Sequence, residues 1–178
     1  MPDVYLDNNA TTPLDPRVRE AMLPWLGERF GNPSSIHRRG QAARNAVEEA
    51  REAVAALVGA RPPEVIFTAS GTEANNTVIG GVAGTGHLVI SAFEHPSVRE
   101  AAARAARGGV EVTKVSPAAD GVVPADAVIA ALRPDTRLVC LMLANNEVGT
   151  LQPVAAVAAE CRARGIPLLC DAVQAVGK

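Results

Sequence analysis

The chain is 178 residues long, 48% apolar and 20% charged, with a formal net charge of −2. That balance lies in the ordinary globular range and describes a chain of one domain or slightly more. Scattered basic residues give no footing for nucleic acid or anionic lipid, and no apolar run nears the roughly 20 residues that span a bilayer.

In chain order, Leu14-Asp15-Pro16 opens a first helix, with Asp15 as N-cap and Pro16 at the first helical position. A longer helix follows the Gly31-Asn32-Pro33-Ser34 turn. Its apolar positions, Ile36, Ala43, Val47, Ala50, Val54 and Leu57, recur in steps of three, four or seven, so one face is expected to be buried. Gly59 ends this helix and Pro62-Pro63 enforces the break. The period then changes. Strands are predicted at 64–68, 87–91, 110–115, 136–143 and 167–170. Between them lie helices from 72 to about 83, from near Pro96, from Pro124, and from 153 to about 164. This alternation predicts an α/β fold, a mostly parallel sheet with helices on both faces. Aromatics are only 3%, so Ala, Val, Leu and Ile must build the core.

Cys140, Cys161 and Cys170 are odd in number and lack CxxC spacing. They fit neither a disulfide scaffold nor a zinc site, and they point to a reducing compartment. Met1-Pro2-Asp3-Val4 shows no basic region followed by an apolar signal core, so the cytoplasm is the expected location.

Four of the five predicted strands end in unusual polar residues: Ser70-Gly71-Thr72, Glu94-His95-Pro96, Asn145-Asn146-Glu147 and Asp171. Parallel strands deliver all four to one edge of the sheet, where ligands of such sheets bind. Gly71 lets a backbone come close, and the N–H groups of a helix start favour an anion such as phosphate. His95 can stack on a flat ring or move a proton. Asp171 follows Leu168-Leu169-Cys170, where a carboxylate wants a cationic partner or several hydrogen bonds. Gln174 is one helical turn further on. Ser70-Gly71-Thr72 and Asp171 also have a plain reading as helix caps and His95 one as a surface or cap histidine, and His37 and His87 receive no role. Together they meet the needs of pyridoxal phosphate: a phosphate, a flat pyridine, a ring nitrogen kept protonated and a phenolic oxygen.

The segments Tyr5-Leu-Asp-Asn-Asn-Ala-Thr-Thr-Pro13, Gly31-Asn-Pro-Ser-Ser-Ile-His37, Phe67-Thr-Ala-Ser-Gly-Thr-Glu-Ala-Asn-Asn76, Glu94-His-Pro-Ser97, Asn145-Asn-Glu-Val-Gly149 and Asp171-Ala-Val-Gln-Ala-Val-Gly-Lys178 run nearly end to end. In this order they resemble the N-terminal part of the class V aminotransferase group, and within it the cysteine desulfurases of the NifS and IscS type. The resemblance implies the fold of pyridoxal phosphate-dependent transferases (fold type I). Residues 1–14 would belong to the small domain and 15–178 to an incomplete cofactor-binding large domain. It implies that Gly71 and Thr72 bind the cofactor phosphate, that His95 stacks on the ring and takes part in proton transfer, and that Asp171 pairs with the ring nitrogen. Gln174 and Asn146 would hydrogen-bond the ring oxygen or the substrate side of the cofactor.

The implied reaction takes L-cysteine to alanine and passes its sulfur to an enzyme cysteine, in a homodimer that hands the sulfur to an acceptor protein, as in iron–sulfur cluster assembly. In the family the lysine that anchors the cofactor lies beyond the Asp-Ala-x-Gln motif, in a Ser-x-His-Lys context, and the persulfide cysteine lies further on. Neither falls within these 178 residues. Lys178 matches a different, non-catalytic lysine, and none of the three cysteines sits in a mobile loop. The expectation is therefore no desulfurase turnover by the 178-residue chain alone. A selenocysteine lyase, a class V aminotransferase and a non-catalytic half that binds a partner chain stay open as alternatives. No metal site is expected.

Overall fold

The structure, a computed structural model, describes residues 4–177; the readings made on Met1-Pro2-Asp3 and on Lys178 lie outside them. It forms two compact units divided between Phe67 and Thr68.

The first unit is helical. Helix α1 (Pro16–Met22) is capped by the Asp15 carboxylate, which accepts from the Arg17 N–H at 2.8 Å, and a 3-10 turn (Leu23–Leu26) continues it. Helix α2 (Arg38–Val58) is capped by His37, whose Nδ1 accepts from the Gly40 N–H. It ends where predicted, at Gly59 with φ of 68°, a left-handed turn that other residues enter at a cost. Of the predicted apolar stripe Ala43 is buried, whereas Leu57 is 68% exposed and Ile36, which precedes the helix, is 89% exposed.

The predicted strand at 64–68 is not a strand. Pro62–Glu64 is a 3-10 turn and the chain then runs extended without a ladder. The Val65 carbonyl is taken by the Arg51 guanidinium, which also lies 5.0 Å from the centre of the Phe67 ring. A β-rich run becomes a strand only where a neighbour pairs with it, and among the described residues none does.

The second unit is the sheet. Strands β1 (His87–Ser91), β2 (Glu111–Val115), β3 (Thr136–Cys140) and β4 (Leu168–Leu169) lie in the order β2-β1-β3-β4, all parallel. Leu88 stands opposite Leu138, and Val139 opposite Leu168. Side chains alternate across the sheet, so Leu88, Ile90 and Leu138 pack on one side with residues of α3 (Gly71–Val82) and α4 (Pro96–Arg107). Val89, Val139 and Leu141 pack on the other with residues of α5 (Ala125–Ala130) and α6 (Val154–Ala163). Helices thus cover both faces, and β1 is buried at every residue, as a central parallel strand requires. Cys140 and Cys161 are buried and Cys170 half-buried, with no disulfide among them. No described helix is long and apolar enough to cross a membrane.

This topology fixes where a ligand belongs. The helix after β1 lies on one face and the helix after β3 on the other, so the two chain ends part above the middle of the sheet. That crevice, at the carboxyl ends of adjacent strands whose connections go opposite ways, is the natural binding position of open parallel sheets.

Candidate functional site

The loop after β1 carries Glu94 and His95. Glu94 is 2% exposed, and its Oε1 accepts from the Met142 N–H at 2.8 Å, across the crevice from the segment after β3. Its Oε2 is buried with no hydrogen-bond partner among the described residues. Burial pushes this carboxyl up to about 7, hydrogen bonding from the Met142 N–H and the nearby Ser91 hydroxyl opposes the rise, and the charge of Asp171 adds to it. His95 caps α4, its Nδ1 accepting from the Ser97 N–H at 3.2 Å, and its ring is exposed.

The loop after β3 is tied down by Asn145. Its Nδ2 donates to the Phe93 carbonyl at 3.1 Å, and its Oδ1 accepts from the Glu147 and Val148 N–H groups at 2.9 and 3.0 Å. That anchoring leaves Asn146 half-buried beside it, with Nδ2 2.9 Å from Glu147 Oε1. Past β4, Asp171 Oδ1 accepts from the Val173 N–H at 3.1 Å and so starts the turn that carries the half-buried Gln174. The Leu143 N–H donates to the Asp171 carbonyl at 2.9 Å, which joins this turn to the neighbouring loop.

The Ser70-Gly71-Thr72 cluster reaches the same place without a strand beneath it. Ser70 Oγ caps α3 by accepting from the Glu73 N–H, and Glu73 Oε2 accepts from the Ala69 N–H at 2.6 Å. The Gly71 and Thr72 N–H groups take no acceptor among the described residues. A Cβ on Gly71 would sit 3.4 Å from Val173 Cγ2, so the helix start abuts the Asp171 turn. One turn into α3, Asn75 Nδ2 donates to Asp171 Oδ2 and to Ser97 Oγ, each at 2.9 Å. Ser97 Oγ lies 2.8 Å from His95 Nδ1.

All four predicted clusters therefore gather at the carboxyl edge of one sheet, three from strand ends and one from a helix start. The cap reading holds for Ser70 and His95, whereas Asp171 starts a turn and no helix follows it among the described residues. His95 and Asp171 each spend one acceptor on a local N–H and keep the rest of the side chain for other partners. His37 caps α2, and His87 is buried between Thr136 Oγ1 and Thr113 Oγ1 at 2.9 and 2.8 Å at the opposite end of β1, where burial lowers its pKa. Asn75, Ser97 and the burial of Glu94 escaped the sequence reading. The one available hint was that Asn75 stands four residues after Gly71 on the same side of α3.

The donor set suits pyridoxal phosphate. Two adjacent N–H groups without acceptors at a helix start can take phosphate oxygens. A half-buried carboxylate held by two donors keeps further lone pairs for a protonated ring nitrogen, and an exposed imidazole offers a flat face. The chain thus presents an open parallel α/β scaffold with a polar switch-point edge of the kind that binds phosphorylated cofactors.

Its sequence names the family more narrowly. The family model for aminotransferase class-V matches residues 4–178, and the chain belongs to that family, whose members are pyridoxal phosphate-dependent. It is 46% identical over 181 residues to the cysteine desulfurase IscS of Methylococcus capsulatus, covering 98% of this chain and 45% of that protein. Against the IscS of Dechloromonas aromatica the identity is 45%, again covering 98% of this chain and 45% of the other. The chain spans about half the length of the curated relatives it matches. Among solved structures it is similar to SspA in complex with cysteine (TM-score 0.93, 38% identity, 96% of this chain and 51% of that one) and to a NifS-like protein (TM-score 0.92, 38% identity, 96% and 49%).

Proposed function

We propose that this chain supplies the pyridoxal phosphate site of a cysteine desulfurase acting on L-cysteine. The observation that supports the reading best is the bonded grouping of Asp171, Asn75, Ser97 and His95 beside the start of α3. It stands in a chain whose relatives are cysteine desulfurases.

When bound, the cofactor would act as the electron sink for bond changes at the substrate α-carbon. The residues have separate tasks. The Gly71 and Thr72 N–H groups bind the phosphate, and the dipole of a 12-residue helix favours the anion there. Asp171 holds a proton on the ring nitrogen by ion pairing. His95 covers one ring face and holds or moves a proton, while Asn146 and Gln174 serve the ring oxygen or the substrate side. Residues 1–14 belong, in this reading, to a second and smaller domain. A homodimer, a sulfur-acceptor protein and a cytoplasmic location complete it.

In the 178-residue chain the further steps lack obvious agents. Lys114 is exposed on β2, and Lys178 is the other lysine. Burial pushes the thiols of Cys140, Cys161 and Cys170 up, away from the thiolate that attacks sulfur.

Titration of the purified chain with pyridoxal phosphate, followed by absorbance, tests the binding. Saturable binding that Asp171→Ala weakens at least tenfold is expected, and no saturable binding overturns the site. Incubation with L-cysteine and cofactor is expected to release no alanine, and measured alanine overturns the assignment of turnover to residues outside these 178.

A further inference from the structure

The hydrogen bonds between Asp171 and His95 have a direction. A carboxylate oxygen only accepts, so the Asn75 atom facing Asp171 Oδ2 at 2.9 Å is its amide nitrogen. The second hydrogen of that nitrogen goes to Ser97 Oγ, also at 2.9 Å. With a lone pair of Oγ engaged in this way, the serine hydroxyl hydrogen is available for His95 Nδ1, 2.8 Å away. The Ser97 backbone N–H, which cannot accept, points to the same Nδ1 at 3.2 Å. Two donors converge on Nδ1, so the hydrogen of the neutral ring belongs on Nε2. Asn75 and Ser97 are 5% and 8% exposed, and water therefore competes little with these bonds.

We propose that Asn75 and Ser97 are positioning residues that relay the orientation of the Asp171 carboxylate to the His95 ring and place its hydrogen on Nε2. The two groups that would face the pyridine nitrogen and the pyridine plane are then set by one chain of bonds, not independently. The functional meaning of this relay rests on the pyridoxal phosphate reading above, whereas the relay itself is a property of the chain without cofactor. Neither Asn75 nor Ser97 needs to touch the reacting atoms.

The test is 15N NMR of the imidazole nitrogens in the full chain, labelled at histidine and free of cofactor, with the His95 signals identified by their loss in His95→Gln. The expected spectrum shows hydrogen on Nε2 and an unprotonated, hydrogen-bonded Nδ1. Asn75→Ala is expected to shift the Nδ1 signal toward that of a free imidazole, although residue 75 makes no bond to the ring. Ser97→Ala should do the same and Ser97→Thr, which keeps a hydroxyl, should restore the signal. Hydrogen on Nδ1 in the wild type, or His95 signals unmoved by Asn75→Ala, overturns the proposal. Should Asn75→Ala fail to fold, identical spectra for Ser97→Ala and Ser97→Thr overturn it instead. Adding pyridoxal phosphate to the same samples separates the two ideas: absent binding would remove the cofactor and leave the proton placement standing.

Discussion

The two units handle their apolar residues in opposite ways. In the second, Leu88, Val89, Ile90, Leu138 and Val139 are all fully buried, because a parallel sheet with helices on both faces closes its own core. In the first, Leu6, Ile36, Phe30 and Leu57 are each more than 60% exposed. Its aromatics Trp25, Phe30 and Phe67 lie against arginines: Arg29, Arg39 and Arg51 are 6.0, 4.6 and 5.0 Å from their ring centres. A groove of about 590 Å³ beside α2 is lined by Trp25, Phe30, Ala43, Val47 and Phe67 among others. An amphipathic helix alone cannot bury its stripe, whereas a four-strand ladder with two helical layers can. The candidate site lies in the unit that is complete in this sense, which is why its polar groups can be held by buried partners.

The sharpest way to break this comparison is by truncating side chains. Ile90→Ala should cost the second unit about 2–5 kcal/mol in urea denaturation, because it opens a cavity against packed neighbours. A cost no larger than that of an exposed residue would show that the sheet core is loosely packed.

Next in size is the buried Glu94. Its folded pKa, about 7, lies above the ordinary 4.5, so the folded state holds the proton more tightly than the unfolded chain. The stability this contributes is fully present below about pH 4.5 and is lost as pH rises through about 7. Glu94→Gln removes the titration and should make the second unit more stable than wild type above neutrality, by up to about 3 kcal/mol. The gain should vanish in acid. Parallel denaturation curves across that pH range check the sign, and a gain independent of pH would rule out titration as its origin.

A smaller effect is expected at Gly40 of the first unit, where an added Cβ would collide with the Ser35 carbonyl oxygen. Gly40→Ala should cost about 1–3 kcal/mol by forcing the 31–37 turn off α2. Circular dichroism should register the loss in helix while the sheet transition stays put. The smallest change is expected at Leu57, 68% exposed, where Leu57→Ala should stay within about 0.5 kcal/mol. A loss of several kcal/mol there, measured on the same urea curves, would mean that the first unit's stripe is covered in solution.

Much of the local structure was legible in the residues. Asp15 before Pro16, Ser70 before Gly71 and Gly59 after Val58 set helix ends through bonds and dihedrals made within a few positions. Alternation of strand and helix from 87 onward disclosed the parallel sheet, and strand ends disclosed three of the four polar clusters. Residues 64–68 misled for a physical reason, since β-branched and aromatic residues favour extended backbone but cannot create the strand that must pair with them. The stripe of α2 likewise declared a face to be buried without saying by what. Tertiary structure alone decided that Asn75 meets Asp171 across 96 positions and that Glu94 ends up dry between β1 and β3. Short-range rules act within a turn or two, whereas those contacts exist only once the sheet has set its strand order.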